Sequence, residues 1–250
     1  MRGWWQDLTD LVLPAECGGC GRLRTALCGE CRDALCGAAP CRVRPDPRPP
    51  GLPVVHAAAP YGDAVRAVLL AHKERGALGL AGPLGVALAG AVRAGLPGGD
   101  APVLLVPVPS ARGAVRARGH DPVRRLALAA AGELRRGGTR ARVLCVLRQR
   151  RAVADQAGLN SRQRQANLRG ALEVTAGGGR LLGGGGRVVV VDDLMTTGAS
   201  LAEAARAIRD VHTESEKRPP VVTAREIARR NTVGAAVVAS SPDSFGINRN

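Results

Sequence analysis

The stretch Gly183-Gly184-Gly185-Gly186-Arg187-Val188-Val189-Val190-Val191-Asp192-Asp193-Leu194-Met195-Thr196-Thr197-Gly198-Ala199-Ser200 decides the fold. Its uninterrupted valine run, short and preceded by glycines, reads as a strand buried on both faces of a parallel sheet. Downstream, Leu201, Ala204, Ala205, Ile208 and Val211 recur at helical spacing, so residues 196–200 form a strand-to-helix turn and the start of that helix. Asp192 and Asp193 then stand at the strand's C-terminal end, the edge where open α/β sheets bind ligands.

The turn suits a phosphate monoester. Consecutive amides at a helix N-terminus point at the ligand, Gly198 allows close approach, and Thr196, Thr197 and Ser200 add hydroxyl donors. It contains no lysine, and the chain has no G-x-x-x-x-G-K-[ST], which argues against a nucleoside-triphosphate loop. The glycines of 177–186 precede the strand, so they are no dinucleotide fingerprint and read as a flexible turn. Two carboxylates facing a phosphate would repel it. They need ribose hydroxyls as donors, directly or through an oxygen-preferring Mg2+. An Asp pair that merely caps a turn is the alternative for the dipeptide alone; ribose with a 5′-phosphate accounts for both halves of the segment.

With 250 residues, 45% of them hydrophobic, the chain can bury one sizeable core and carry a small appendage. No apolar stretch is long enough for a membrane span. The N-terminus places Trp4, Trp5, Leu8, Leu11 and Val12 on one face of an amphipathic helix and lacks a secretory signal, which implies a cytoplasmic protein. A net charge of +15 implies anionic partners, phosphate or nucleic acid, without choosing between them.

Cys17-Gly-Gly-Cys20 and Cys28-Gly-Glu-Cys31 are two C-x-x-C pairs that can direct four thiolates at one structural Zn2+. Disulfides are disfavoured without a secretion signal, and a redox C-x-x-C would open a helix in a thioredoxin-like unit. Cys36 and Cys41 are spare and could replace one ligand, while Cys145, in an apolar run, reads as a buried small residue. The head, residues 1–45 with the N-terminal helix, is expected to be a separate module, followed by a proline-rich connector over 42–53.

Residues 54–250 read as the α/β body. Strands are expected over 54–59, 102–108, 143–147 and 233–239, and helices over 63–72, 80–96 and 122–135. Lys73 follows the first helix, and Arg112, Arg116, Arg118 and His120 crowd a glycine-containing loop. The long polar stretch 148–169, with Gln156, Arg164 and Asn167, is functional or disordered in a compact domain. Residues 212–232 are a charged surface insert, with a short helix expected over 224–230 after a capping box.

The acidic pair with its hydroxyl turn resembles the phosphoribosyl pyrophosphate (PRPP) motif of type I phosphoribosyltransferases. The cysteine head, Lys73, Val106-Pro107-Val108-Pro109 with Arg118-Gly119, and residues 156–168 narrow the resemblance to the ComF/GntX group of phosphoribosyltransferase-like proteins, associated with natural competence and DNA uptake. It covers roughly residues 15–211 and resumes near Val233. The resemblance implies a type I phosphoribosyltransferase-like parallel sheet flanked by helices. Asp192 and Asp193 would be its catalytic pair, holding ribose hydroxyls and Mg2+, and Thr196, Thr197, Gly198, Ala199 and Ser200 the 5′-phosphate site. Lys73, Arg112 and Arg118 are pyrophosphate candidates, and Gln156, Arg164 and Asn167 belong to a loop that closes over substrate. One departure stands out: the group's usual Arg-Gly-Phe-Asn-Gln is here Arg118-Gly119-His120-Asp121-Pro122. Two functions follow from the resemblance, phosphoribosyl transfer with pyrophosphate release, or a non-catalytic accessory role that binds single-stranded DNA beside the uptake machinery. Few aromatics are present to stack on bases.

Overall fold

The computed structural model describes residues 16–96, 98, 100–151, 161–216 and 233–245. The expected helices near Trp4 and over 224–230, residues 217–232 of the insert, and Gln156 lie outside them.

The valine run does form a strand buried on both faces. The central sheet contains β1 (Cys41–Val43), β2 (Val55–Pro60), β3 (Val103–Pro107), β4 (Ala141–Val143), β7 (Arg187–Met195) and β8 (Gly234–Ser240), in the order β1-β2-β8-β7-β3-β4. From β2 to β4 every pairing is parallel, and β1 runs antiparallel along β2. Side chains alternate across the sheet, so each strand feeds two apolar layers. Val189 and Val191 join Leu105, Ala236 and Val238 on one face; Val188 and Val190 join Leu104, Val106, Ala235 and Val237 on the other.

The first face is covered by α2 (Asp63–Glu74), α3 (Ala81–Ala94) and α5 (Pro122–Arg136). The second is covered by α8 (Ala199–Glu216), whose Leu201, Ala204, Ala205 and Ile208 are all buried as their spacing requires. The result is a mixed α/β protein with a mostly parallel sheet between two helical layers. Among the described residues, no helix is long and apolar enough to cross a membrane.

Several local expectations are corrected. The run 143–147 is not one strand. β4 ends at Val143 and the chain leaves the sheet, with Leu144 and Val146 buried and Cys145 exposed, before β5 (Leu147–Gln149) pairs antiparallel with β6 (Leu172–Val174) in a separate hairpin. The run supplies three buried positions, Leu144, Val146 and Leu147, and turns its thiol outward. The polar stretch above this hairpin contains α6 (Ser161–Leu168), and the glycine-rich 177–186 folds around α7 (Gly178–Leu182), entered through Gly177 at φ 81°. Residues 112–118 are a helix, α4 (Arg112–Arg118), ended by Gly119 at φ 74°. The departure at Asp121-Pro122 has a local cause as well: the Asp121 side chain caps α5 by accepting from Arg124 N–H, and Pro122 occupies the first turn.

The head and connector merge with the body. Leu27, Cys28, Cys31 and Leu35, the last two on α1 (Gly29–Cys36), share the core that holds Val68, Leu80 and Leu84. Within the connector, Val43 and Leu52 are buried in the opposite layer.

α3 and α5 approach each other closely at Gly85. A Cβ built on Gly85 would sit 2.4 Å from Ala129 Cβ and 2.9 Å from its carbonyl carbon. In an exposed helix, Gly→Ala stabilises by up to about 1 kcal/mol. Here the sign reverses, and Gly85→Ala is expected to destabilise by roughly 1–3 kcal/mol, read as a lower urea midpoint at unchanged slope.

Candidate functional site

Parallel strands bring their C-terminal ends to one edge, and β7 carries the acidic pair there. Counting alternately from Val189 and Val191, Asp193 takes the face covered by α2 and Asp192 the opposite one. Lys73, near the end of α2, donates from Nζ to Asp193 Oδ2 at 2.8 Å. The Asp193 side chain is 8% exposed and that of Lys73 36%, so the carboxylate is buried and its partner half-buried. Burial works to lower the Lys73 pKa, but the charge and hydrogen bond of Asp193, with the charge of Asp192, hold it above its ordinary value.

Among the described residues, Asp192 makes no ion pair of its own. Its Oδ1 accepts the backbone N–H of Asp193 at 2.8 Å. Burial, followed by the neighbouring Asp193 charge, raises its pKa well above the usual carboxylate range, and Lys73 offsets only part of this. An oxygen surrounded this way is receptive to added hydroxyl donors or a hard cation.

The 196–200 turn follows directly. Gly198 adopts φ 73°, and its carbonyl accepts Ala202 N–H at 2.9 Å as α8 begins. Thr197 Oγ1 accepts from Ala199 N–H at 3.5 Å, and Thr196 is solvent exposed. A Cβ at Gly198 would meet Leu52 Cδ2 at 3.0 Å, so the connector packs against the back of the turn and glycine is required for two reasons. The end of β7 just before the turn is tied to the end of β8, since Met195 O accepts from Ser241 N–H at 3.0 Å and from Ser240 Oγ at 3.3 Å.

The pyrophosphate candidates separate. Arg118, the last residue of α4, forks onto both oxygens of Glu74 at 2.9 and 3.0 Å, and its charge reaches Lys73. Cations and anions therefore alternate from Arg118 through Glu74 and Lys73 to the Asp pair. Arg112 opens α4, exposed and outside that series. Glu74 was not foreseen, although its position next to Lys73 was the available signal. His72, just before Lys73, is 1% exposed and lies 6.0 Å from the His120 ring; burial pushes its pKa below the usual imidazole range. Arg164 and Asn167 both lie on α6, away from β7 in sequence but attached to the β5–β6 hairpin.

In the head, Cys17, Cys20, Cys28 and Cys31 bring their sulfurs within 4.8 Å of one another, an arrangement that could hold a metal ion such as zinc. Its glycines serve this approach: a Cβ on Gly19 would lie 2.5 Å from Cys31 Sγ, and one on Gly18 would lie 2.6 Å from Leu80 Cδ1. Burial opposes ionisation of Cys17, but backbone N–H groups of Cys20, Cys28 and Gly19 bring its pKa down to about 6. Burial and its sulfur neighbours push Cys31 upward. Cys36 and Cys41 are exposed and do not belong to the cluster.

No protein-family model matches the chain, and a search of curated proteins returns no match.

A carboxyl with a raised folded pKa binds its proton more tightly in the folded state, so Asp192 costs stability as pH rises from its ordinary value, about 3.9, through the folded value. Asp192→Asn keeps the acceptor for Asp193 N–H and removes the charge. It is expected to raise Tm at pH 7, each 1 kcal/mol being worth about 2–4 °C in a chain of this size, with the gain shrinking toward pH 4. Thermal unfolding of both proteins across that range checks it.

Proposed function

We propose that the chain is a phosphoribosyltransferase-like protein that binds PRPP, or a related ribose 5-phosphate, with Mg2+ at the end of β7. The supporting observation is the direct succession of a carboxylate pair, one member lacking its own cation, and a glycine-hinged turn opening an 18-residue helix. In this reading Asp192 and Asp193 accept the two ribose hydroxyls. The amides and hydroxyls of residues 196–200 take the 5′-phosphate, where the helix dipole favours negative charge. Lys73 lies beside the pair and Arg118 beyond it, so a pyrophosphate group has two cations to meet, Arg118 exchanging Glu74 for phosphate oxygen. Mg2+, held by carboxylate and ligand oxygens, would neutralise charge on the leaving group.

In phosphoribosyl transfer, a nitrogen nucleophile forms a bond to the anomeric carbon while the carbon–oxygen bond to pyrophosphate breaks and pyrophosphate leaves with the electron pair. The residues named contribute position and charge stabilisation. The single-stranded DNA alternative has less to draw on. Among the described residues, the only Phe, Tyr or Trp side chains are Tyr61 and Phe245, both packed against core clusters instead of forming an exposed stacking platform. We assign the cysteine cluster to structural Zn2+. It closes its site with four sulfur donors and supports the packing of α1 on α2 and α3.

Calorimetry with PRPP and Mg2+ is expected to show saturable heat that disappears in the Asp192→Asn, Asp193→Asn double variant; a silent wild type sinks the ligand assignment. A screen of nucleobases and amines for pyrophosphate release then identifies the acceptor. Protein purified under reducing conditions is expected to carry about one zinc per chain, with Tm falling on chelation; metal-free protein melting unchanged overturns the zinc assignment.

A further inference from the structure

Glu203 lies on α8 three residues after Ser200, and its side chain is 5% exposed. Its Oε1 accepts the backbone N–H of Leu172 at 3.0 Å. Arg206 forks onto the same carboxylate, from Nε at 2.8 Å and Nη2 at 2.8 Å. Nη2 of Arg206 also donates to the Leu172 carbonyl at 2.9 Å, and its Nη1 pairs with Asp210. A buried carboxylate and its partly exposed arginine therefore take up both backbone groups of Leu172 on β6, the strand whose other neighbour is β5. Burial works to raise the Glu203 pKa, but Arg206 and the backbone N–H groups of Leu172 and Gly170 hold it below the usual carboxylate range, so the clamp is ionic at neutral pH. Losing one partner of such a pair strands the other charge.

Nothing in the proposed chemistry uses Glu203, yet its place is informative. α8 is one continuous helix. Its first two residues, Ala199 and Ser200, complete the 196–200 turn, and its second turn carries the clamp, about 4.5 Å beyond Ser200 along the axis at 1.5 Å per residue. From Leu172 the chain leads directly back to α6: Ala171 N–H donates to Leu168 O at 2.9 Å, and Leu168 is buried. Arg164 and Asn167, expected in the site from sequence, both lie on that helix.

We infer that Glu203, acting with Arg206, is a positioning residue that couples occupancy of the 196–200 turn by a ribose phosphate monoester to the placement of the β5–β6 hairpin and α6. The coupling rests on the proposed reading of the turn. Because such coupling is reciprocal, holding the hairpin in place strengthens ligand binding by the same factor by which the ligand protects the hairpin.

Hydrogen exchange of the full-length protein, with and without ribose 5-phosphate, tests this at the Leu172 amide. In wild type, ligand is expected to slow its exchange about 5-fold or more. In Glu203→Ala that slowing is lost and ribose 5-phosphate binds more weakly by a matching factor. Glu203→Gln, which keeps an acceptor for Leu172 but not the ion pair, falls between. Arg206→Lys, which keeps the charge but loses the fork, supplies the same comparison should Glu203→Ala not fold. Wild type that binds ribose 5-phosphate with no change at Leu172 overturns the coupling and leaves the turn assignment standing. Variants that slow as wild type does remove Glu203 from it. Wild type that does not bind the ligand overturns turn and coupling together.

Discussion

A cation inserted beside two adjacent carboxylates, at the end of a strand buried on both faces, is the constraint from which the arrangement follows. Lys73 reaches Asp193 at 2.8 Å across 120 residues of sequence, so the end of α2 must sit over the end of β7. That contact sets where Glu74 lies, and Glu74 in turn holds Arg118 and the end of α4. Ion pairs of this kind, partly exposed and partly desolvated, are weak sources of net stability. Their effect is to select one register. The least compensated charge is that of Asp192, half-buried next to a like charge with only a share of Lys73 to offset it. Rule-breaking of this sort concentrates where a protein holds a ligand.

The sheet and its helices were legible because each rests on a local pattern that tertiary packing reinforces. Four valines between glycines and Asp192 allow little except a doubly buried strand, and Leu201, Ala204, Ala205 and Ile208 allow little except a helix covering it. The acidic pair and the turn were legible for a related reason, being contiguous in sequence. What escaped was set by partners distant in sequence. The break at Leu144 depends on Cys145 turning outward while its two neighbours stay buried, which a uniform apolar run does not announce. The Arg118–Glu74 fork and the Glu203–Leu172 bond join residues 44 and 31 positions apart, respectively. Short α4 was hidden by its arginines and its lack of buried residues, which remove the usual amphipathic signal.

The head and its connector contribute side chains to the body's core layers. Cysteine pairs and prolines suggest an appendage on a stiff linker. Leu27 and Leu35 instead complete the core layer of α2 and α3, while Leu52 supports Gly198 from behind. A change in the connector therefore reaches the 196–200 turn through the Leu52 side chain packed behind Gly198.

The sheet's two margins have a consequence for the protein's behaviour in concentrated solution. Its parallel strands are rich in valine and alanine, the kind of segment that extends readily by adding a strand from another molecule. On one side β1 closes β2 with three antiparallel residues, of which Cys41 and Arg42 are exposed. On the other, β4 offers three residues with Arg142 outward before the chain turns away at Leu144. Among the described residues, neither margin presents a ladder longer than a single short strand, and each carries an arginine. Self-association through the sheet is thereby discouraged by geometry and charge together, leaving the long apolar strands β7 and β8 shut inside the sheet.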